Sequence, residues 1–323
     1  MKCRICDNSK GNKLYEVREM HLGFRDKFTY FQCAVCECLQ IAKIPHNMPI
    51  YYPSDYYSFL LPAQQRYKNP IKKIFKIMSD RYAIYKKGIL GRFLYTYFPY
   101  EFLQIISPLH IKDKSAILDV GCGSGSLLYT LKEIGHKYLV GVDSYIKEDI
   151  EYENGLKIFK KSIHELDGRW DIIMFHHSFE HIPDPIDTFQ AVSRLLTERG
   201  ECLIRIPTVS SYAWDHYREN WVQLDAPRHF FLHSTKSIAL SAEKANLTLD
   251  RIVYDSTEFQ FWGSEQYTRD IPLKDPRSFS VDSSNSIFSD QEIVEFKQRA
   301  KELNLNDQGD SCAILLRKSH PSP

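Results

Sequence analysis

The stretch Ala116 to Leu128, AILDVGCGSGSLL, is the feature that most constrains what this chain can become. A short apolar run enters a turn with glycines at alternate positions, Gly121, Gly123 and Gly125, and leaves it through the helix-prone segment SLLYTLKEIG. That order reads as a buried strand, a tight turn and a helix start. Glycine is needed where the backbone bends sharply and a ligand comes close to it, because a Cβ would fill that space. The turn is therefore a ligand cradle. Its spacing is G-x-G-x-G rather than G-x-G-x-x-G, no Lys-Ser/Thr follows as a phosphate loop would require, and Asp119 stands just before it. A carboxylate there repels a pyrophosphate and attracts an ammonium group.

Further on, YLVGVDS reads as a second strand that ends on Asp143, eighteen residues after Gly125, with Ser144 next to it. An acid at the tip of the second strand of a βαβ unit is placed to accept hydrogen bonds from a ribose diol. A ligand with both an ammonium group and a ribose fits S-adenosylmethionine better than NAD. The competing readings are a dinucleotide-binding dehydrogenase and a glycine turn with no ligand. LKIFKKS gives a third strand with Ser162 at its end, and WDIIMF a fourth, followed by His176, His177, Ser178, Phe179, Glu180 and His181. Ligands of open α/β sheets bind beyond the carboxyl ends of the strands, and three histidines with a glutamate there are poorly explained by packing. A metal on His176, His177 and His181 competes less well, because adjacent histidines on one turn point apart. ECLIRIP, LTLDRIVYD and SCAILLRK supply three more strands, with a long region from 256 to 310 between the last two.

The N-terminus carries two C-x-x-C pairs, Cys3/Cys6 and Cys33/Cys36, separated by two short strands. Such knuckles bring four thiolates to the corners of a tetrahedron, the geometry of a closed structural zinc site with no open position for catalysis. Cys38 competes with Cys36 for the fourth place. A nucleic-acid ribbon is disfavoured by the lack of a dense basic patch with interleaved aromatics, and a redox role by the lack of a following helix start. A Tyr-dense stretch around a proline follows, with Tyr52, Tyr56 and Tyr57 as contacts to a polar substrate or as loop packing. From Pro70 to Ile106 the apolar spacing is helical and the composition basic, which predicts a connector packed on the core more readily than a membrane-surface helix. The chain of 323 residues has Lys+Arg 42 against Asp+Glu 41, so its global charge calls for no nucleic-acid or membrane partner. No signal-peptide pattern and no span-length apolar run is present, and a cytoplasmic location is expected.

ILDVGCGSG, VDS and WDIIMFHHSFEHIPDP together resemble the class I S-adenosylmethionine-dependent methyltransferases that act on small molecules. The segment from Trp221 to His229, W-V-Q-L-D-A-P-R-H, is similar to the substrate loop of the subgroup that also carries an N-terminal zinc module. That subgroup includes C-methyltransferases of nucleotide-linked deoxysugars and members of polysaccharide gene clusters. The resemblance implies an α/β fold, a Rossmann-like seven-stranded sheet with helices on both faces plus a small N-terminal zinc-ribbon module. It divides the chain into a zinc module (1–50), an aromatic loop and helical connector (51–112) and a cofactor-binding domain (113–323) with a substrate loop near 208–235 and an insertion near 256–310. It implies a cofactor set of Asp119, Gly121, Cys122, Gly123, Gly125, Asp143, Ser144, Ser162, His176, His177 and Ser178. Structural zinc on Cys3, Cys6, Cys33 and Cys36 also follows, with a small-molecule substrate such as a nucleotide-linked sugar and a monomer or homodimer.

Methyl transfer from a sulfonium is a one-step displacement that needs in-line placement and, for a hydroxyl or acidic C–H, a base. A neutral histidine suits that task. His229 is the expected base, with His181 as its alternative or partner and Tyr56 in support. Tyr52, Tyr57, Glu180, Trp221 and Arg228 are expected at the substrate. In the sugar C-methyltransferases the loop histidine follows a glutamate, whereas here Arg228 precedes it, a cation suited to a phosphate or carboxylate. The rival reading is a zinc-containing protein that holds S-adenosylmethionine without transferring its methyl.

Overall fold

The computed structural model describes residues 1–52 and 62–319. At the N-terminus β1 (Lys13–Arg18) and β2 (Lys27–Gln32) form an antiparallel hairpin, and β3 (Leu39–Ile41) adds to β2. A helical connector follows: α1 (Pro62–Arg66), α2 (Pro70–Tyr85) and α3 (Ile89–Tyr97). Asn69 caps α2 by accepting from the amides of Ile71 and Lys72, and Pro70 at its first turn has no amide to waste. Lys86 ends α2 in the left-handed region, and α3 packs so closely that a Cβ on Gly91 would lie 2.8 Å from the Met78 carbonyl oxygen.

The C-terminal half is built on β4 (Ile117–Val120), α4 (Ser126–Glu133), β5 (Leu139–Val142), β6 (Ile150–Glu151), β7 (Lys157–Phe159), β8 (Trp170–His176), α5 (Pro185–Leu195) and β9 (Leu196–Pro207). It continues through α6 (Tyr212–Tyr217), β10 (Phe231–Leu232), α7 (Thr235–Glu243), β11 (Leu247–Tyr254), α8 (Phe259–Thr268), α9 (Asp290–Leu305) and β12 (Ser311–Lys318). The large sheet has the order β11-β12-β9-β8-β4-β5-β7-β6. Its centre is parallel and apolar: every residue of β4 is buried, as suits strands covered on both faces. β12 runs antiparallel between β9 and β11.

All seven expected strands are present, but the sheet has eight. The extra one, β6, is a two-residue edge strand folded back on β7 through Asn154-Gly155, with Gly155 at φ +76°. That dipeptide is a hairpin signal, and the strand it makes is too short to show any periodicity.

The second departure concerns the cysteine-bearing N-terminal segment. Its sheet is four-stranded, β1-β2-β3-β10, and the last strand comes from the loop expected to contact substrate. Cys3, Ile5, Tyr30 and Leu39 share one core with Trp214, Trp221, Phe230 and Phe231. The N-terminal segment is therefore fastened to the middle of the C-terminal half rather than hung beside it.

Candidate active site

The glycine turn folds as its sequence requires. Gly121, Gly123 and Gly125 all have φ between 56° and 75°, and a Cβ on Gly121 would come within 2.4 Å of Ser178 Cβ. Ser178 lies at the end of β8 and donates its hydroxyl to the Val120 carbonyl at 2.7 Å, so the ends of β4 and β8 are laced together. Asp143, at the tip of β5, accepts from the Gly123 amide at 2.9 Å and from the Tyr145 amide at 2.7 Å. Each carboxylate oxygen keeps a lone pair beyond these bonds. Asp119 is buried beside it. Burial and the Asp143 charge push its carboxyl up to about 8, and its Oδ1 has no hydrogen-bond partner. An orphaned buried acid next to a cradle that a side chain would fill is what an ammonium-bearing ligand would complete. Of the remaining cofactor residues, Cys122 is half-buried beside Gly141 and Ser144 is exposed. Ser162 is spent locally, since its amide and hydroxyl both donate to Glu165 in a capping box.

Beyond β8 the chain turns through His177 at φ +49°. Arg205 donates to His177 Nε2 at 2.7 Å, so the ring hydrogen sits on Nδ1, which faces Glu180 Oε1 at 3.5 Å. His176 has both ring nitrogens sealed from solvent and unpaired, and burial with the Arg205 charge lowers it to about 3. Glu180 is 0% exposed and neither oxygen has a hydrogen bond of normal length. Burial pushes its carboxyl up, but the His177, His181 and His229 rings outweigh that and hold it near 2.

His181 and His229 meet edge to face with centroids 4.8 Å apart. His181 Nδ1 donates to the Arg228 carbonyl at 2.8 Å, and His229 Nδ1 to the Gln223 carbonyl at 2.7 Å. Both rings therefore present Nε2 as a lone pair when neutral. His229 Nε2 lies 3.7 Å from Asp225 and 3.9 Å from Glu180. Burial lowers the ring to about 4 although Asp225 pulls the other way. One donor atom each from Glu180, His181 and His229 falls within 4.8 Å of the others, a grouping that could also take a cation. Tyr52 joins this cluster, 3.2 Å from His181 Nδ1, and its ring stacks on Tyr145 at 5.9 Å. Tyr145 was not anticipated; its only signal is an aromatic two residues past Asp143. Tyr56 and Tyr57 lie outside the described residues.

Two of the expected substrate contacts are buried and paired within the protein. Arg228 is 0% exposed: its guanidinium pairs with both oxygens of Asp225, lies 3.5 Å from Glu19 and donates to the Tyr51 carbonyl at 3.0 Å. Trp221 is equally buried and donates its indole N–H to Asp310 at 2.9 Å. Both side chains thus spend hydrogen bonds on holding the loop. A cavity of about 250 Å³ opens beside them, lined by His177, Arg205, Gln223, Asp255, Phe259 and Asp310. Asp310, unexpected from sequence, is pushed by burial to about 6 despite the bond from Trp221.

Residues 93–252, just under half of the chain, match the family model of the methyltransferase domain. Over that stretch the chain is similar to methyltransferase domains. A tRNA U34 carboxymethyltransferase of Aliarcobacter butzleri (strain RM4018) is 28% identical over 115 residues, covering 31% of this chain and 36% of that protein. The chain thus spans about a third of that curated relative. Among solved structures, a methyltransferase from Mesorhizobium loti is similar at 13% identity and TM-score 0.43, covering 68% of this chain and 97% of its own. The cyclopropane synthase MmaA2 of Mycobacterium tuberculosis is similar at 14% identity and TM-score 0.41, covering 67% and 82%.

The segment from Trp214 to Phe231 is buttressed by the cysteine cluster. Cys3 and Cys36 sulfurs lie 3.5 Å apart and Cys6 and Cys33 sulfurs 3.4 Å apart, close to the ~3.8 Å edge of a tetrahedron with metal–sulfur bonds of ~2.3 Å. Backbone amides of Ile5 and Val35 donate to Cys3 and Cys33, and Gln40 Nε2 to Cys3, as thiolates would require. The donor set fits zinc. Cys38 is outside it, with its thiol on the Leu232 carbonyl at 3.5 Å. The cluster reaches the site through Tyr30, which donates to the His229 carbonyl at 2.8 Å, and Ser234, which donates to the Cys36 carbonyl at 2.5 Å.

Proposed function

We propose that this chain transfers the methyl group of S-adenosylmethionine to an oxygen or acidic carbon of a small polar molecule, a sugar nucleotide or other glycan precursor being the favoured class. Bound S-adenosylmethionine supplies the electrophilic methyl. Asp119 and the glycine turn would hold its amino-acid end and Asp143 its ribose, with Tyr145 beside the sugar. The observation that carries the reading is the cluster of Glu180, His181 and His229 beyond β8, directly past the Gly121–Ser178 seam. A protein that only bound the cofactor would have no use for three titratable groups packed there.

In this reading His229 Nε2 accepts the acceptor's proton, and the imidazolium that results faces Asp225 and Glu180. The Gln223 carbonyl fixes its tautomer, and His181, the less buried ring, lies between it and Tyr52. The zinc cluster is structural: with four sulfurs it leaves no open position, and its part is to hold the loop that carries His229. Similarity to the tRNA enzyme over under a third of the chain does not carry its substrate here.

The test is His229→Ala with a panel of nucleotide sugars, read by mass for an added methylene. Turnover should fall about a hundredfold or more, in line with the usual worth of a general base, while affinity for S-adenosylhomocysteine holds. Unchanged turnover, or loss only in His181→Ala, would move the base elsewhere.

A further inference from the structure

The helical connector carries a surface that the active-site reading does not use. Between residues 62 and 100 nine Lys and Arg face a single acid, Asp80, a net of +8 in a chain whose total is +1. That one acid is buried on Arg66 and Tyr67. Lys73 is paired with Glu133, but Lys68, Lys72, Lys87 and Arg92 have no ion pair among the described residues.

The same hairpin leaves its apolar side chains in solvent. On α2, Ile71, Ile74 and Phe75 stand at i, i+3 and i+4, one face of the helix, with exposures of 42% to 72%. On α3, Ile89, Leu90, Phe93 and Tyr97 follow a similar spacing, and Ile89 is 93% exposed. These seven are a large share of the exposed large apolar side chains of the whole protein, and they fall within 27 residues. Scattered singly, such residues need no explanation; gathered on one short hairpin they mark a binding surface.

We propose that the α2–α3 hairpin is a docking surface for an anionic membrane, on which the protein lies with these side chains in the headgroup and acyl boundary. Charge decides among the occupants. A second copy of the chain would bring an excess of positive charge against the same excess, so self-association through this face works against Coulomb repulsion. A nucleic acid would satisfy the lysines but has nothing to offer four exposed Ile and Leu side chains. An anionic bilayer answers both at once: its surface potential draws the cations, and the interface takes in the aliphatic and aromatic groups. No helix of the described residues is long and apolar enough to cross a membrane, so the contact is with the surface. This departs from the expectation that the chain meets no membrane, which rested on a global charge that hides the asymmetry.

The full-length chain is sedimented with extruded vesicles of phosphatidylcholine alone and of phosphatidylcholine with one third phosphatidylglycerol, beside Ile74→Ser/Ile89→Ser/Phe93→Ser. These positions are exposed, so the variant should keep its far-UV spectrum and its affinity for S-adenosylhomocysteine, which separates this test from the catalytic reading. The wild type should partition to the anionic vesicles and not to the neutral ones, weaken with added salt, and lose about tenfold or more in partitioning in the variant. No binding to anionic vesicles overturns the proposal. Binding unchanged in the variant overturns it too, as does a wild-type dimer that the same substitutions dissolve or tRNA binding that they abolish in the absence of vesicle binding.

Discussion

Arg228→Ala separates two roles that the sequence alone cannot tell apart. As a substrate contact, Arg228 would be dispensable for folding and its loss would raise KM. In the structure it is fully buried, bonded to both oxygens of Asp225, 3.5 Å from the equally buried Glu19, and bonded to the Tyr51 carbonyl. Its charge holds the Asp225 carboxyl well below the usual range against the burial that pushes it up. Removing one partner of a buried pair leaves the other charge uncompensated, which costs about 3–5 kcal/mol. Two features bring the expectation to the lower end. Glu19 still accepts three backbone amides, from Leu22, Gly23 and Phe24, and Asp225 keeps His21 at 3.5 Å. A loss of about 3 kcal/mol is then expected, a large part of the ~5–15 kcal/mol that holds a typical domain together. Urea titration followed by fluorescence gives the free energy, and Arg228→Met combined with Asp225→Asn should recover part of it by removing an orphaned charge. A loss below ~1 kcal/mol together with a raised KM would refute the structural role and restore Arg228 to the substrate.

Three further outcomes follow from the same geometry. The purified chain should hold one zinc per molecule by elemental analysis, and stripping it should lower stability and turnover together, because β3 and Tyr30 support the loop of His229; a metal-free protein with full turnover would contradict this. Asp119 has an ordinary value of 3.8 and is raised to about 8, so the free fold keeps a proton that the unfolded chain has released, and its contribution to stability declines as pH rises through that window. Docking an ammonium group ionises it, so cofactor binding near pH 7 should release a proton and tighten as pH approaches about 8, seen by calorimetry in buffers of different ionisation enthalpy; binding independent of buffer would show that Asp119 does not face the ammonium. Gly121→Ala, whose Cβ would meet Ser178 at 2.4 Å, should abolish cofactor binding.

What the sequence reveals here is what short spacing encodes. The glycine turn, the two strand-tip acids and the C-x-x-C pairs each depend on neighbours a few residues apart, and each lies where its spacing places it. β6 and β10 were invisible because strands of two residues have no period to read. The burial of Arg228 was illegible for a different reason: a cation beside a histidine in a loop resembles a ligand contact, and its partner Glu19 lies at the far end of the chain, beyond any local pattern. The same distance hid the contact of the N-terminal cysteine segment with the His229 loop, since the Tyr30–His229 bond and the β3–β10 pairing join residues about 190 to 200 positions apart.

The most direct measurement is calorimetric titration of the folded full-length chain with S-adenosylhomocysteine, repeated on Asp143→Ala. Saturable one-to-one binding, weakened about tenfold or more when the ribose acid is removed, is the predicted result. A well-folded wild-type protein that gives no saturable heat would contradict a cofactor seated across the ends of β4, β5 and β8.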